Sequence, residues 1–370
     1  MNEVNGPASP REREERAWMR RALALAERGW GQTAPNPMVG AVVVRDGVAV
    51  GKGFHAKFGE AHAEVAALAD AGERARGATV FVTLEPCNHH GKTPPCVDAL
   101  IAAGVKRVVA AVPDPGRESA GGAERLRAAG IDVDFGVGAA AARELNAPFF
   151  FAASGAVRPW VTLKLAVSLD GAIAGAPDAA GSPRWLTGEA ARKHVHRLRA
   201  QSDAIAVGIG TVLADDPLLT VRSGRRPRVA PLRVVFDRSA RLPLGSRLVK
   251  TARRVPVLVM ADQADAAAAR ALEAKGVTVE SAPDITSKLE VLRRRGVRSL
   301  LVEGGSILSG ALLAAKAVDR LVIFQAPVLL GAGALPAFAG VNEIERLMVI
   351  ERKEFGADLM TVFSMNTNDE

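Results

Sequence analysis

The chain has no tyrosine, and phenylalanine and tryptophan together bring the aromatic share to only 4% of 370 residues. Proteins that hold single-stranded nucleic acid stack bases on aromatic rings, so little is available here for such a platform. Only two cysteines occur, Cys87 and Cys96, too few for a disulfide scaffold and near enough to share one task. No apolar run approaches the roughly 20 residues that cross a bilayer. The start of the chain, with Arg11, Glu12, Arg13, Glu14 and Glu15, has no apolar core of a secretory signal. These absences predict a soluble, cytoplasmic protein with neither membrane nor nucleic acid as partner.

What is present is a folding composition, 48% hydrophobic and 24% charged. Lysine and arginine total 48 against 40 acidic residues, a formal charge of +8, and the isoelectric point is near 9.9. Such a balance favours phosphate-bearing partners. The arginines, however, lie scattered in pairs and triplets such as Arg225-Arg226 and Arg293-Arg294-Arg295, mostly as solvated faces.

A chain of this length predicts two domains with separate cores. In the first half, Trp18, Met19, Ala22, Leu23 and Ala26 share one face of a helix over 11–29. Strands at 39–44 and 48–54 form a hairpin around Asp46-Gly47. Helices near 62–73, 94–103 and 122–129 then alternate with strands at 78–84, 106–112 and 131–135, which predicts a layered α/β domain with a mostly parallel sheet. The pattern breaks at Pro148 to Pro159, where Phe149, Phe150 and Phe151 suggest a linker that packs against something. We place the domains at 1–150 and 158–370. The second opens a new α/β series, with strands near 160–167, 203–208, 232–236, 255–260, 298–302 and 319–325.

His62-Ala63-Glu64 begins a helix, and Pro86-Cys87 and Cys96 follow the next strand. One neutral imidazole and two thiolates suit Zn²⁺ and leave a fourth tetrahedral position for water, whose pKa the metal lowers. Glu64 is then placed to move a proton from that water to a leaving amine. The usual zinc-deaminase pattern is H-x-E followed by P-C-x-x-C, whereas here Asn88 to Pro95 separate the two cysteines.

That long insertion, Glu85-Pro86-Cys87-Asn88-His89-His90-Gly91-Lys92-Thr93-Pro94-Pro95-Cys96, resembles the signature of the bacterial bifunctional riboflavin-biosynthesis deaminase/reductase family. Pro35-Asn36-Pro37-Met38-Val39-Gly40 and Gly59-Glu60-Ala61-His62-Ala63-Glu64 also match it. The resemblance implies an N-terminal cytidine-deaminase-like three-layer sandwich in which His62, Cys87 and Cys96 bind zinc and Glu64 is the catalytic proton shuttle. Asn36, His55, His89, Lys92 and Asp114 would bind the pyrimidine and its ribose phosphate. The chain departs from the family at Gly116, where an asparagine is usual, so that contact must be lost, supplied by water or taken over by Arg117.

Leu163 to Gly171, Arg184 to Gly188, Gly210 to Arg222 and Val302 to Leu308 are similar to the family's reductase half, which implies a dihydrofolate-reductase-like α/β domain using NADPH. By the same resemblance Ala166, Trp185, Thr211, Asp215, Arg238 and the turn of Gly305, Ser306, Ile307 and Leu308 would contact NADPH. Lys164, Arg199, Leu219, Arg222 and Glu303 would hold the substrate, with Arg199 and Arg222 as phosphate clamps. Lys164 or Asp215 would deliver a proton as the ribosyl ring opens. A serine usual in the family two residues before the tryptophan is here Pro183, with Ser182 displaced by one.

The implied activity is deamination of a phosphoribosylated diaminopyrimidine followed by NADPH-dependent reduction of its ribosyl group. Zn²⁺ and NADPH are the cofactors, phosphorylated pyrimidines the partners, and self-association into a homo-oligomer is admitted. The competing readings are a zinc deaminase acting on nucleic acid, a binding protein with structural zinc, and a chain in which one of the two activities survives.

Overall fold

The computed structural model describes residues 9–175, 185–341 and 346–365, and the chain divides into two compact units, Met1–Gly155 and Ala156–Glu370. No helix among the described residues is long and apolar enough to cross a membrane.

The first unit opens with α1 (Pro10–Ala26), started by a capping box in which Ser9 and Glu12 each bond the other's backbone N–H, an arrangement worth about 1 kcal/mol. Strands β1 (Gly40–Arg45) and β2 (Val48–Phe54) form the expected hairpin. Then come α2 (Ala63–Ala71), β3 (Thr79–Val82), α3 (Cys96–Ala103), β4 (Arg107–Ala110), α4 (Gly122–Ala128), β5 (Asp132–Phe135), α5 (Ala139–Leu145) and α6 (Ala147–Ala153). The sheet runs β2-β1-β3-β4-β5. It is parallel only over β3, β4 and β5, because the hairpin sets β1 antiparallel to both its neighbours.

The two faces of the sheet carry different cores. Val43, Val80, Val82 and Val108 pack with Ala63, Ala67, Val97 and Leu100 of α2 and α3, and Val42, Phe81 and Val109 pack with Trp18, Met19 and Ala22 of α1. The helices lie very close. A Cβ on Gly53 would stand 2.4 Å from the Ala63 carbonyl oxygen, one on Gly51 2.4 Å from that of Ala67, and one on Gly40 2.0 Å from that of Ala22. The expected linker at Phe149 to Phe151 is instead α6, and Phe149 and Phe150 pack against the α1 core. Pro148 breaks the apolar pattern but, at the start of a helix, needs no N–H partner.

The second unit comprises β6 (Trp160–Val167), β7 (Ala172–Ala174), α7 (Glu189–Gln201), β8 (Ala204–Gly208), α8 (Ile209–Asp215), β9 (Leu232–Phe236), α9 (Arg247–Lys250), β10 (Val257–Ala261), α10 (Ala266–Ala274), β11 (Thr278–Ser281), α11 (Ile285–Arg294), β12 (Ser299–Glu303), α12 (Ser306–Ala314), β13 (Arg320–Gln325), β14 (Leu335–Pro336), β15 (Met348–Phe355) and β16 (Asp358–Ser364). Nine strands order as β11-β10-β9-β8-β12-β6-β13-β16-β15. The sheet is parallel from β11 to β13, and β16 and β15 add an antiparallel edge. Asp319, whose side chain is 1% exposed, takes two hydrogen bonds from Arg158 at 2.6 and 2.8 Å and one from the Val161 N–H at 2.8 Å, fixing β6 beside β13. Pro183 and Ser182 lie outside the described residues.

Candidate functional site

In the first unit, two helix starts and one loop converge. His62 is the residue before α2, so its ring stands at the helix mouth, and Glu64 follows in the first turn, 3% exposed. Pro95 caps α3 and puts Cys96 at its first position, where the positive end of the helix favours a thiolate. Cys87 comes from the loop after β3 and accepts the Cys96 backbone N–H at 3.4 Å. The His62 Nδ1 lies 3.2 Å from the Cys96 Sγ and 3.4 Å from the Cys87 Sγ, and all three donor atoms fall within 4.8 Å of one another. Zinc bonds of about 2.0 Å to nitrogen and 2.3 Å to sulfur at tetrahedral angles put such donors about 3.5 Å apart. The His/Cys/Cys set therefore fits zinc in both chemistry and spacing.

The electrostatics suit the same chemistry. Burial pushes the Glu64 carboxyl up to about 7. A hydrogen bond with Cys96 and a second with His62 pull the Cys87 thiol down to about 4, while the shared hydrogen bond and burial push Cys96 up. His55 is 2% exposed and held neutral by burial. Its Nδ1 lies 3.1 Å from the Ala61 carbonyl oxygen and its Nε2 3.4 Å from the Asn36 Nδ2, the pattern of an imidazole that donates from Nδ1 and accepts at Nε2.

One cavity of about 230 Å³ joins these groups. His62, Glu64 and Cys87 line it together with Asn36, His55, His89, Lys92 and Asp114, the five residues predicted to hold the pyrimidine and its phosphate. Cys96 lies behind the wall, fully buried. Lys92 sits 4.3 Å from the centroid of the Phe58 ring, which also lines the cavity, and the His89 Nδ1 is buried with no protein partner.

Two contributors escaped the sequence reading. Glu85 is buried and accepts the backbone N–H of Asp114 at 3.0 Å and of Ala123 at 2.9 Å, so it holds the Asp114 loop against the start of α4. Its place in the motif, directly before Pro86-Cys87, was the available signal. Ser119 lines the cavity, and nothing in its sequence surroundings marks it. Arg117, weighed as a replacement for the contact missing at Gly116, is exposed and is not part of the cavity wall.

In the second unit the strands bring the predicted substrate residues together. Glu303 pairs in register with Lys164 on the neighbouring strand. Arg199 of α7 bonds Glu303 through two parallel contacts of 2.5 and 2.6 Å, and its third nitrogen donates to the Thr220 carbonyl at 3.1 Å. Burial lowers the Lys164 pKa, against an opposing pull from Glu303. Leu219 is buried at φ +48°, and the Arg222 N–H reaches the His196 Nδ1 at 3.3 Å. Three of the five N–H groups of Arg199 are engaged by Glu303 and Thr220, so it reaches a phosphate only through the two that remain, whereas the exposed Arg222 carries no ion pair among the described residues.

Around the predicted NADPH residues, β8 and β12 lie side by side, and the helices that follow them start at the carboxyl ends of adjacent strands, the usual ligand edge of a parallel sheet. Gly304 and Gly305 have φ of +72° and +93°, and a Cβ on Gly305 would come within 3.2 Å of the Thr211 Oγ1. Gly305 gives α12 no side-chain cap, and the Ser306 Oγ is buried without a partner. A helix start without a side-chain cap, an orphan hydroxyl and a glycine cradle fit a phosphate group of a dinucleotide. Leu308 is buried while Ile307 is 82% exposed, and Ala166 lies on β6. Trp185 is exposed beneath Arg192, Arg238 pairs with Asp262 at 3.1 Å, and Asp215 ends α8 at the surface. No hydrogen bond or ion pair among the described residues joins these three to the glycine turn.

Residues 12–112 match the cytidine and deoxycytidylate deaminase zinc-binding region, and residues 159–361 match the RibD C-terminal domain. The riboflavin biosynthesis protein RibD of Aquifex aeolicus is 42% identical over 355 residues, 94% of this chain and 98% of that protein. Among solved structures, Acinetobacter baumannii RibD superposes with a TM-score of 0.81 at 39% identity, over 95% of this chain and 99% of that one. A diaminohydroxyphosphoribosylaminopyrimidine deaminase/5-amino-6-(5-phosphoribosylamino)uracil reductase from Thermotoga maritima also gives 0.81, at 34% identity over 96% and 99%. With similarity of this extent running through both units, the chain belongs to the RibD family of bifunctional deaminase/reductases of riboflavin biosynthesis.

Proposed function

We propose that residues 1–150 deaminate 2,5-diamino-6-(5-phosphoribosylamino)pyrimidin-4(3H)-one to 5-amino-6-(5-phosphoribosylamino)uracil, and that residues 158–370 reduce the ribosyl group of that product to ribityl with NADPH. The observation that carries the reading is the single cavity in which His62, Glu64 and Cys87 meet Asn36, His55, His89, Lys92 and Asp114.

His62, Cys87 and Cys96 would hold zinc, which when bound makes water acidic enough to supply a nucleophile near neutral pH. Glu64, protonating near neutrality and enclosed in the cavity wall, takes a proton from water and returns it to the departing amine nitrogen. Asn36 and His55 fix each other and present a polar edge to the ring, and Lys92 supplies the cation for the phosphate. Thiolates and a reduced nicotinamide both suit a reducing cytoplasm.

NADPH supplies the hydride in the second unit, so the chain's own task there is to orient and to protonate. Glu303 and Arg199, bonded to each other beside Lys164, would hold the substrate together with Leu219, and Arg222 would take the phosphate. Of the two predicted proton donors, Lys164 stands in this cluster with reduced basicity and so releases its proton more readily.

The test follows ammonia release and NADPH oxidation separately on the diaminopyrimidine phosphate. Both should appear in the wild type. Glu64→Gln should retain zinc and lose ammonia release by at least about a hundredfold, yet still oxidise NADPH when given the aminouracil phosphate. Full ammonia release by that variant would remove Glu64 from the mechanism.

A further inference from the structure

The wall of the deaminase cavity contains one hydroxyl that no motif singled out. Ser119 lies in the loop between β4 and α4 and lines the cavity, and its backbone is fixed there because its carbonyl accepts the Asn88 N–H at 3.0 Å. The neighbouring loop is knotted by short-range bonds. The Asp114 Oδ1 accepts the Gly116 N–H at 2.8 Å, and the Gly116 carbonyl accepts both the Ala120 N–H at 3.0 Å and the Ser119 hydroxyl at 3.4 Å. Ser119 also hydrogen-bonds the Asp114 carboxyl.

Gly116 shows why the hydroxyl can stand there. Its φ is not in the left-handed region, so glycine is not required by backbone conformation. Space requires it. A Cβ at position 116 would lie 2.3 Å from the Ser119 Oγ, 3.1 Å from the Asp114 Oδ1 and 3.6 Å from the Ser119 Cβ, so the hydroxyl is the atom it displaces first. A side chain at 116 and a hydroxyl at 119 therefore compete for one place beside Asp114, and in this chain the hydroxyl occupies it.

We propose that Ser119 is a substrate-contacting residue of the deaminase site. Its single proton is taken within the loop, by the Gly116 carbonyl or the Asp114 carboxyl, and its lone pairs accept a hydrogen bond from a donor on the phosphoribosylaminopyrimidine, an amino or ribosyl hydroxyl group. This rests on the deaminase reading above and names a contact within it. Because the bond is made to the bound substrate before any charge develops, its loss raises KM and leaves kcat nearly unchanged.

Threonine and valine at 119 have the same shape and differ in the hydroxyl, so they separate packing from hydrogen bonding. The zinc-loaded full-length enzyme is assayed for ammonia release from the diaminopyrimidine phosphate, with zinc content and reduction of the aminouracil phosphate as controls of folding. Ser119→Val should raise KM about five- to tenfold with kcat within about twofold, and Ser119→Thr should stay near wild type. Gly116→Ala should reproduce the KM rise by displacing the hydroxyl, yet add little in a Ser119→Ala background, where the 2.3 Å clash is gone. Equal KM values for the valine and threonine variants, or a Gly116→Ala change that is neutral alone or equally harmful in both backgrounds, would overturn the proposal while leaving the deaminase reading intact. If the wild type released no ammonia, that reading would fall and the role of Ser119 with it. Should Ser119→Val fail to fold, the alanine pair decides alone.

Discussion

Arg199 shows how much a single side chain's commitments matter. The sequence offers an arginine on a helix and its resemblance suggests a phosphate clamp, but only the folded chain brings Glu303, 104 residues away, under its fork. Two parallel hydrogen bonds are a geometry lysine cannot copy. Arg199→Lys should therefore lower reductase kcat/KM about ten- to a hundredfold, with ammonia release and zinc content as in the wild type. An unaltered reductase would mean that charge alone suffices there. The metal ligands were legible because each chemical type is rare in this chain and the spacing is diagnostic. The roles of Glu85 and Ser119 were not, since the motif that contains Glu85 does not say that its carboxylate accepts backbone N–H groups, and a serine on a cavity wall has no sequence period or motif of its own. What defines them is contact across the fold.

At the level of elements, α/β alternation could be read through most of the parallel strands, whose apolar runs are buried, but not through β11, whose four residues are exposed or half-buried. It stopped before the last hairpin. All of β15 but its final residue is exposed, and Glu351, Arg352, Lys353 and Glu354 occupy its middle, so it reads as a loop although β16 pairs along its length. Phe355 at its end nevertheless helps to form the pocket around His194 of α7, with ring centroids 4.8 Å apart, and Phe324 of β13 closes it at 6.1 Å. Burial first, then Arg197 and Lys353, hold the His194 imidazole down to about 4. In the unfolded chain it titrates near 6.5. Between these values the unfolded state binds the extra proton, so this contribution to stability is complete above about pH 6.5 and is lost as pH falls towards 4. Thermal unfolding followed across that range should show a shallower acid decline for His194→Gln than for the wild type. Parallel curves would remove His194 as a source of the decline.

On the scale of the whole molecule, the two halves own separate cores and separate chemistry. The first core gathers around β1, β3 and β4, and the second around β6, β8, β12 and β13. Among the described residues the candidate metal ligands belong to the first unit, and the glycine turn with its orphan Ser306 hydroxyl belongs to the second. Stripping zinc with a strong chelator should thus abolish ammonia release while NADPH oxidation with the aminouracil phosphate keeps at least about 80% of its rate, and zinc should restore the first activity without raising the second. Equal loss of both would show that metal binding supports the reductase as well. That two units exist was readable from length and from the interruption near Pro148. The helical character of 147–153 was not, because three consecutive phenylalanines have no helical period, and α6 takes its apolar partners from α1 and its surroundings.

The contact of α2 with β2 has one more implication. Alanine in place of Gly51 or Gly53 would add nothing charged, polar or reactive and would touch no ligand, yet its methyl group would press on the helix backbone at Ala67 or Ala63. His62 and Glu64 ride on the same turn as Ala63. The reach of the imidazole and the carboxylate into the cavity is therefore gauged from behind, by how thin the strand is, and the metal's neighbours are levelled like a tabletop whose height is set by shims out of sight beneath it.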